Sequence, residues 1–172
     1  EDEDSVLRVR NLEVPNRVYG VDLDVRKGEV VGLAGLVGAG RSELLRAVYG
    51  AIECSGDVSV EGRRLSRRHP ARMCRAGVSL LTDDRKREGL FLDLPVADNI
   101  ALGNLGRVSR AGWISPRRRA EAAKSAIETL GIKTSGTEQN VQGLSGGNQQ
   151  KVAIARCLAA GAKILMLDEP TR

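Results

Sequence analysis

The chain has 172 residues, enough to bury a real core as one domain or as one domain with an inserted lobe. Apolar residues make up 41% and aromatics only 2%, so Val, Leu, Ile and Ala must fill that core. The net charge is +5, and Cys54, Cys74 and Cys157 form an odd set with no CxxC pair, a pattern that argues against a disulfide scaffold or a structural zinc site and fits a reducing compartment.

The acidic opening Glu1-Asp2-Glu3-Asp4 reads as a linker and is unlike a signal peptide. Val6 to Arg10 and Val21 to Val25 alternate apolar and polar residues, which predicts two half-buried strands, with Arg26-Lys27-Gly28 as a turn. Glu29 to Ala34 is more continuously apolar, the pattern of a strand covered on both faces. It runs into a glycine-rich loop, Gly35-Leu36-Val37-Gly38-Ala39-Gly40-Arg41-Ser42. Ser42 to Tyr49 then reads as a helix, with Leu44, Leu45 and Val48 on one side and Gly50 as its C-terminal cap. A short strand over Asp57 to Val60, a turn at Glu61-Gly62, a helix over Pro70 to Ala76 and a second buried strand over Val78 to Leu81 follow. The polar stretch Thr82 to Glu88 leaves that strand.

Residues 93 to 140 change character. Pro95 to Leu102 predicts a helix. Ser115 caps a longer one, with Pro116 at its first position, Ala120, Ala123, Ile127 and Leu130 along one face, and Gly131 at its end. This reads as a helical lobe inserted into an α/β core. The core resumes with a helix from about Gly146 to Ala160 and a strand from Lys163 to Leu167. The longest apolar run, Val30 to Gly40, is broken by glycine and falls short of the roughly 20 residues of a membrane span.

Arginine accumulates at 63–64, 67–68 and 117–119. Such clusters suit nucleic acid or an acidic membrane surface. They are short here and no aromatics interleave as stacking partners, which favours a solvated basic surface. His69 is the single histidine and reads as a loop residue rather than a catalyst.

Three segments carry chemistry. In the first, the glycines at 35, 38 and 40 let consecutive N–H groups converge on an oxyanion, and the helix that follows adds positive potential. Ser42 is placed to ligate Mg²⁺. Arg41 stands where a compact lysine is usual and brings a wider, forked cation. In the second, Leu144-Ser145-Gly146-Gly147-Asn148-Gln149-Gln150, Ser145 can cap a helix whose glycines leave their N–H groups to a ligand. In the third, Ile164-Leu165-Met166-Leu167-Asp168-Glu169-Pro170, a buried strand delivers two adjacent carboxylates. Asp168 can hold Mg²⁺ and Glu169 can activate an attacking water.

GLVGAGRS, LSGGNQQ and ILMLDEPT, in this order and at these separations, resemble the Walker A loop, signature and Walker B strand of ATP-binding cassette proteins. The resemblance extends to TDDRKREGL at 82–90 and to Arg41, which are similar to the second cassette of monosaccharide importers of the ribose, galactose and xylose type. It implies an α/β P-loop NTPase core with N-terminal antiparallel strands, an inserted helical subdomain, and a C-terminal part of the fold missing after Walker B. Residues 1–5 would be linker, 6–82 and 141–172 the ATP-binding core, and 83–140 the helical subdomain. It further implies ATP and Mg²⁺ between two cassettes, fused or dimeric. Gly35, Gly38, Ala39, Gly40, Arg41 and Ser42 would cradle one ATP, with Asp168 and Glu169 at its γ-phosphate. Ser145, Gly146 and Gly147 would complete the other cassette's site. Membrane permease subunits at the cytoplasmic face would be direct partners, a sugar-binding protein an indirect one, and nucleic acid none.

Two positions depart from the family pattern. Asp83 falls where the family's loop glutamine is usual, and Tyr19 is a poor candidate to stack adenine. The expectations are a weaker hydrolytic half that lends its signature to a competent partner, and poor solubility of the chain alone. A ribosome- or DNA-directed ATPase of the same fold, or a regulatory cassette without turnover, are the alternatives.

Overall fold

The computed structural model describes residues 4–169, without the side chains of residues 85 and 86. The acidic opening at residues 1–3 and the motif end at residues 170–172 lie outside the described residues. The chain divides into two compact units, residues 1–80 and 81–172.

The first unit is built on an antiparallel sheet. Strands β1 (Ser5–Val14), β2 (Val18–Arg26), β3 (Ser55–Val60) and β4 (Arg63–Arg64) lie in the order β2-β1-β3-β4. Val9 faces Leu23 on one side and Val58 on the other. β1 runs four residues past its predicted end because its alternation changes phase rather than stopping. Leu7 and Val9 point inward, then Leu12 and Val14 do, and a register shift between Val9 and Leu12 absorbs the extra residue, with Asn11 at φ 45°. The Asn11 N–H donates to Asp22 Oδ1 at 2.6 Å. Helix α1 (Arg41–Tyr49) packs Leu44, Ala47 and Val48 against this sheet and ends, as predicted, at Gly50 in the left-handed region.

On β2, Asp24 accepts from both Arg8, at 2.8 Å, and Arg10. The Arg10 and then the Arg8 hydrogen bonds hold its carboxyl below the usual aspartate range. A depressed acid contributes stability that is present above its unfolded pKa and lost as pH falls through the folded value. The urea midpoint should therefore be level above the ordinary aspartate pKa of about 4 and decline below it. Asp24→Asn should flatten that acid limb, and an identical limb in the variant would show that the pair does not contribute.

The segment after β2 corrects the sequence reading. Residues 29–34 form no strand, and Val30 is 95% exposed. A strand persists only when its N–H and C=O groups find a ladder partner. Among the described residues none of the named strands pairs with this run. Helix α2 (Pro70–Arg75) carries His69 as its N-cap, with Nδ1 accepting from the Ala71 N–H at 3.3 Å.

The second unit opens at the end of β5 (Val78–Leu81), whose partner in a two-stranded sheet is β8 (Ile164–Leu167). Between them lie a π-helical turn (Arg85–Gly89), α3 (Val96–Ala101), α4 (Leu105–Val108), the hairpin β6 (Ser109–Arg110) and β7 (Trp113–Ile114), α5 (Pro116–Leu130), a 3₁₀ turn (Val141–Gly143) and α6 (Gly146–Ala159). Val96, Ala97 and Ile100 of α3, Ala123 of α5 and Val152, Ala153 and Ala155 of α6 share one core. Ser115, Pro116 and Gly131 delimit α5 as its sequence predicts. Arg119 is only 16% exposed and ties α5 to Asp98 and to Glu138, the latter at 2.9 Å. Arg117 pairs with Glu121 and Arg64 with Asp57, so part of the basic surface is matched locally.

Asn99 is fully buried at 0% exposure. Its Oδ1 accepts from the Phe91 N–H at 2.9 Å, and its Nδ2 donates to the carbonyls of Phe91, Leu94 and Pro95. One side chain thus replaces a turn of backbone pairing for the loop over Phe91–Pro95. Asn99→Ala strands those groups and should cost about 3 kcal/mol by denaturant unfolding. A loss below about 0.5 kcal/mol would mean that water satisfies the loop equally well.

Candidate functional site

The glycine-rich loop at residues 35–40 leads directly into α1. Gly38 and Gly40 both stand at φ 82°, a region closed to most side chains. A Cβ on Gly40 would lie 2.6 Å from the Arg17 carbonyl oxygen, so the β1–β2 turn passes directly beside the loop. Gly40 is also the N-cap of α1, and no side chain caps that helix. The first N–H groups of a helix have no intrahelical acceptor, which makes this helix start suited to an anion. Residues 35 to 39 are exposed, as a docking loop for a bulky anion requires. Tyr19 is 77% exposed on β2 and borders a cavity of about 380 Å³ with Glu13, Val14, Pro15, Val18 and Cys54.

The acidic pair belongs to the second unit. The Asp168 N–H donates to the Leu81 carbonyl at 2.9 Å, fixing the end of β8 beside the end of β5. Asp168 is 6% exposed, and its Oδ2 is buried without a hydrogen-bond partner. A desolvated carboxylate oxygen without a donor is costly, and a cation would relieve it. This fits Mg²⁺. Among the described residues no cluster of three His, Cys, Asp or Glu side chains could hold a metal by itself. An ion at Asp168 would therefore draw its other ligands from a hydroxyl, water or phosphate oxygens. Glu169 follows at φ 46°, a conformation that a non-glycine residue adopts only when its surroundings compel it. Thr82 Oγ1, one residue past β5, is likewise buried without a partner. Asp83 is exposed, and the neighbouring Asp84 accepts from the Arg87 N–H at 3.2 Å.

At the second segment, Leu144–Gln150, the structure corrects the expectation of a Ser145 side-chain cap. Ser145 occupies the N-cap position of α6 but makes no side-chain cap bond. Its Oγ instead accepts from Asn148 Nδ2 at 2.9 Å. Ser145, Gly146 and Gly147 are exposed, and nothing lies within 4 Å of where a Cβ on Gly147 would stand. Leu144 and Gln149 are buried on either side, and Gln149 donates to the Val141 carbonyl. Arg156, further along α6, donates to the Gly89 carbonyl at 2.9 Å and stacks over Phe91. The sequence reading missed Asn148 and Asn99, whose partners at Lys133 and at Phe91–Pro95 come to them only on folding, and Thr82, whose burial no local pattern marks.

The fold is that of the ATP-binding cassettes. A nucleotide-free cassette from an ABC transporter superposes with a TM-score of 0.81 at 23% identity, covering 98% of this chain and 70% of that one. A bacterial Atm1-family ABC exporter with ATP bound superposes with a TM-score of 0.71 at 25% identity, covering 98% of this chain and 29% of that one. The ABC transporter family model matches residues 18–172, and the chain belongs to that family. It is 44% identical over 168 residues to the ribose import ATP-binding protein RbsA of Bacillus licheniformis, covering 97% of this chain and 34% of that protein. It is 46% identical to ribose import ATP-binding protein RbsA 1 of Burkholderia ambifaria, with 97% of this chain and 32% of that protein covered. The chain thus spans about a third of the length of the curated relatives it matches.

Proposed function

We propose that this chain belongs to the second, C-terminal cassette of an ATPase that drives import of a monosaccharide. The observation that carries the reading is the 44% identity, along 97% of the chain, to a ribose import ATP-binding protein. In this reading residues 6–82 and 141–172 form the ATP-binding core and 83–140 the helical subdomain. The loop at Gly35, Gly38, Ala39 and Gly40 and the start of α1 hold the triphosphate through backbone N–H groups. Arg41 lays a forked cation along it. Ser42 and Asp168 would hold Mg²⁺, which neutralises charge building on the phosphate oxygens. Glu169 accepts the proton of the attacking water, and Asp83 stands near the γ-phosphate as a negative group that slows this half. Ser145, Gly146 and Gly147 present their donors to ATP held by the other cassette. Closure and reopening of the pair move the permease subunits at the cytoplasmic face, and a sugar-binding protein delivers cargo from the other side.

The test is uptake by proteoliposomes holding the intact polypeptide that carries this chain and its permease. ATP inside the vesicles, with the loaded binding protein outside, should drive accumulation of labelled ribose. ATP hydrolysis without uptake, stimulated instead by ribosomes or DNA in a salt-dependent manner, would overturn the transport reading.

A further inference from the structure

We propose that Asn148 is a positioning residue that dictates the direction in which the Ser145 hydroxyl donates its proton. The proposal rests on the reading of Ser145 as a phosphate contact. The Lys133 N–H donates to Asn148 Oδ1 at 2.8 Å. A backbone N–H can only donate, so the oxygen of the Asn148 amide must face it, and that fixes the amide against a flip. The amide nitrogen is thereby turned to Ser145, and it donates to Oγ at 2.9 Å. An amide NH₂ has no lone pair to take a proton back. Ser145 therefore cannot donate to Asn148. Its Oγ makes no cap bond on α6 either.

What remains is a hydroxyl with one lone pair engaged and its proton directed outward. Ser145, Gly146 and Gly147 are all exposed at that point. An acceptor arriving in front of α6, such as a phosphate oxygen, meets an O–H already oriented rather than one free to rotate. The anchor is firm because the same segment is tied twice. Lys133 binds Asn148, and Lys151 Nζ donates to the Gly131 carbonyl at 2.8 Å, where α5 ends. The signature helix start is thus clamped to the exit of α5.

The test uses the intact polypeptide and MgATP. Asn148→Asp keeps an acceptor for Lys133 but replaces the donor facing Ser145 with a second acceptor, which draws the hydroxyl proton inward. ATP turnover should fall about tenfold, the scale of one hydrogen bond to a charged group, with the melting temperature held. Asn148→Ala frees the hydroxyl to rotate. It should lose stability through the stranded Lys133 N–H and yet keep turnover within about threefold of the parent. A purely structural role predicts the reverse order, with Ala worse than Asp in turnover. Charge repulsion alone predicts that Asn148→Asp costs as much in a Ser145→Ala background as in the parent. The proposal predicts that this second penalty disappears, and a full penalty there overturns it. If the parent itself binds and hydrolyses no ATP, the functional reading fails and takes this one with it. Normal parent turnover with an additive cycle removes only the role of Asn148.

Discussion

Glu169→Gln should slow ATP turnover at this cassette's own site about a thousandfold while leaving ATP affinity there within about threefold of the parent, the range over which a positioned general base acts. The substitution keeps the size of the side chain and removes its capacity to take a proton. Glu169 directly follows Asp168, whose Oδ2 is buried without a hydrogen-bond partner, and its own φ is 46°. A non-glycine residue in that region costs about 1–3 kcal/mol, which the end of β8 must impose. The Glu169 carboxylate belongs to the residue that follows the proposed metal ligand in sequence. Single-turnover phosphate release, with nucleotide affinity measured in parallel, separates the two effects. Unchanged phosphate release would show that Glu169 is not the base. Equal losses of affinity and turnover would show that it binds ATP and has no part in activating water.

Gly40→Ala should abolish measurable ATP binding at this cassette's own site and lower stability, whereas Gly38→Ala should weaken binding there only about fivefold to thirtyfold. Both glycines stand at φ 82°, so both substitutions meet the roughly 1–2 kcal/mol cost of the left-handed region. They differ in space. Nothing lies within 4 Å of a Cβ on Gly38, whereas one on Gly40 would meet the Arg17 carbonyl at 2.6 Å and Val18 Cγ2 at 3.2 Å. Neither neighbour is the end of a flexible side chain. The β1–β2 turn or the start of α1 must move, and with it the N–H groups proposed to hold phosphate. Calorimetric ATP titrations of the two variants check this. A Gly38 variant as damaged as the Gly40 variant would mean that loop flexibility, rather than the fit against Arg17, sets affinity.

Much of this was legible in the sequence wherever the cause is local. Ser115, Pro116 and Gly131 bound α5 because a cap, a fixed φ and a left-handed terminus each act within a turn. Gly50 ends α1 for the same reason. The loop glycines at 38 and 40 both take positive φ, which their missing Cβ allows. What failed depends on partners elsewhere. The apolar run at 29–34 has the composition of a covered strand, but composition supplies no ladder partner, and Val30 is 95% exposed. The continuation of β1 past Arg10 was hidden because the bulge at Asn11 shifts the inward phase by one residue. Ser145 has the residue type of a helix cap, yet Asn148, held by Lys133, takes its oxygen. Asn99 carries no local signal of its role, since its partners at 91–95 meet it only when the loop folds over α3.

The most direct measurement is the structure of the intact polypeptide, as its Glu169→Gln variant, crystallised with MgATP. The triphosphate should lie on the N–H groups of residues 38–42, with Mg²⁺ reached by the Ser42 hydroxyl and by Asp168. Ser145 and Gly147 should face the γ-phosphate of ATP held by the other cassette. Nucleotide bound away from residues 38–42, or a metal with Asp168 out of reach, would contradict the assignment of these residues to one ATP site.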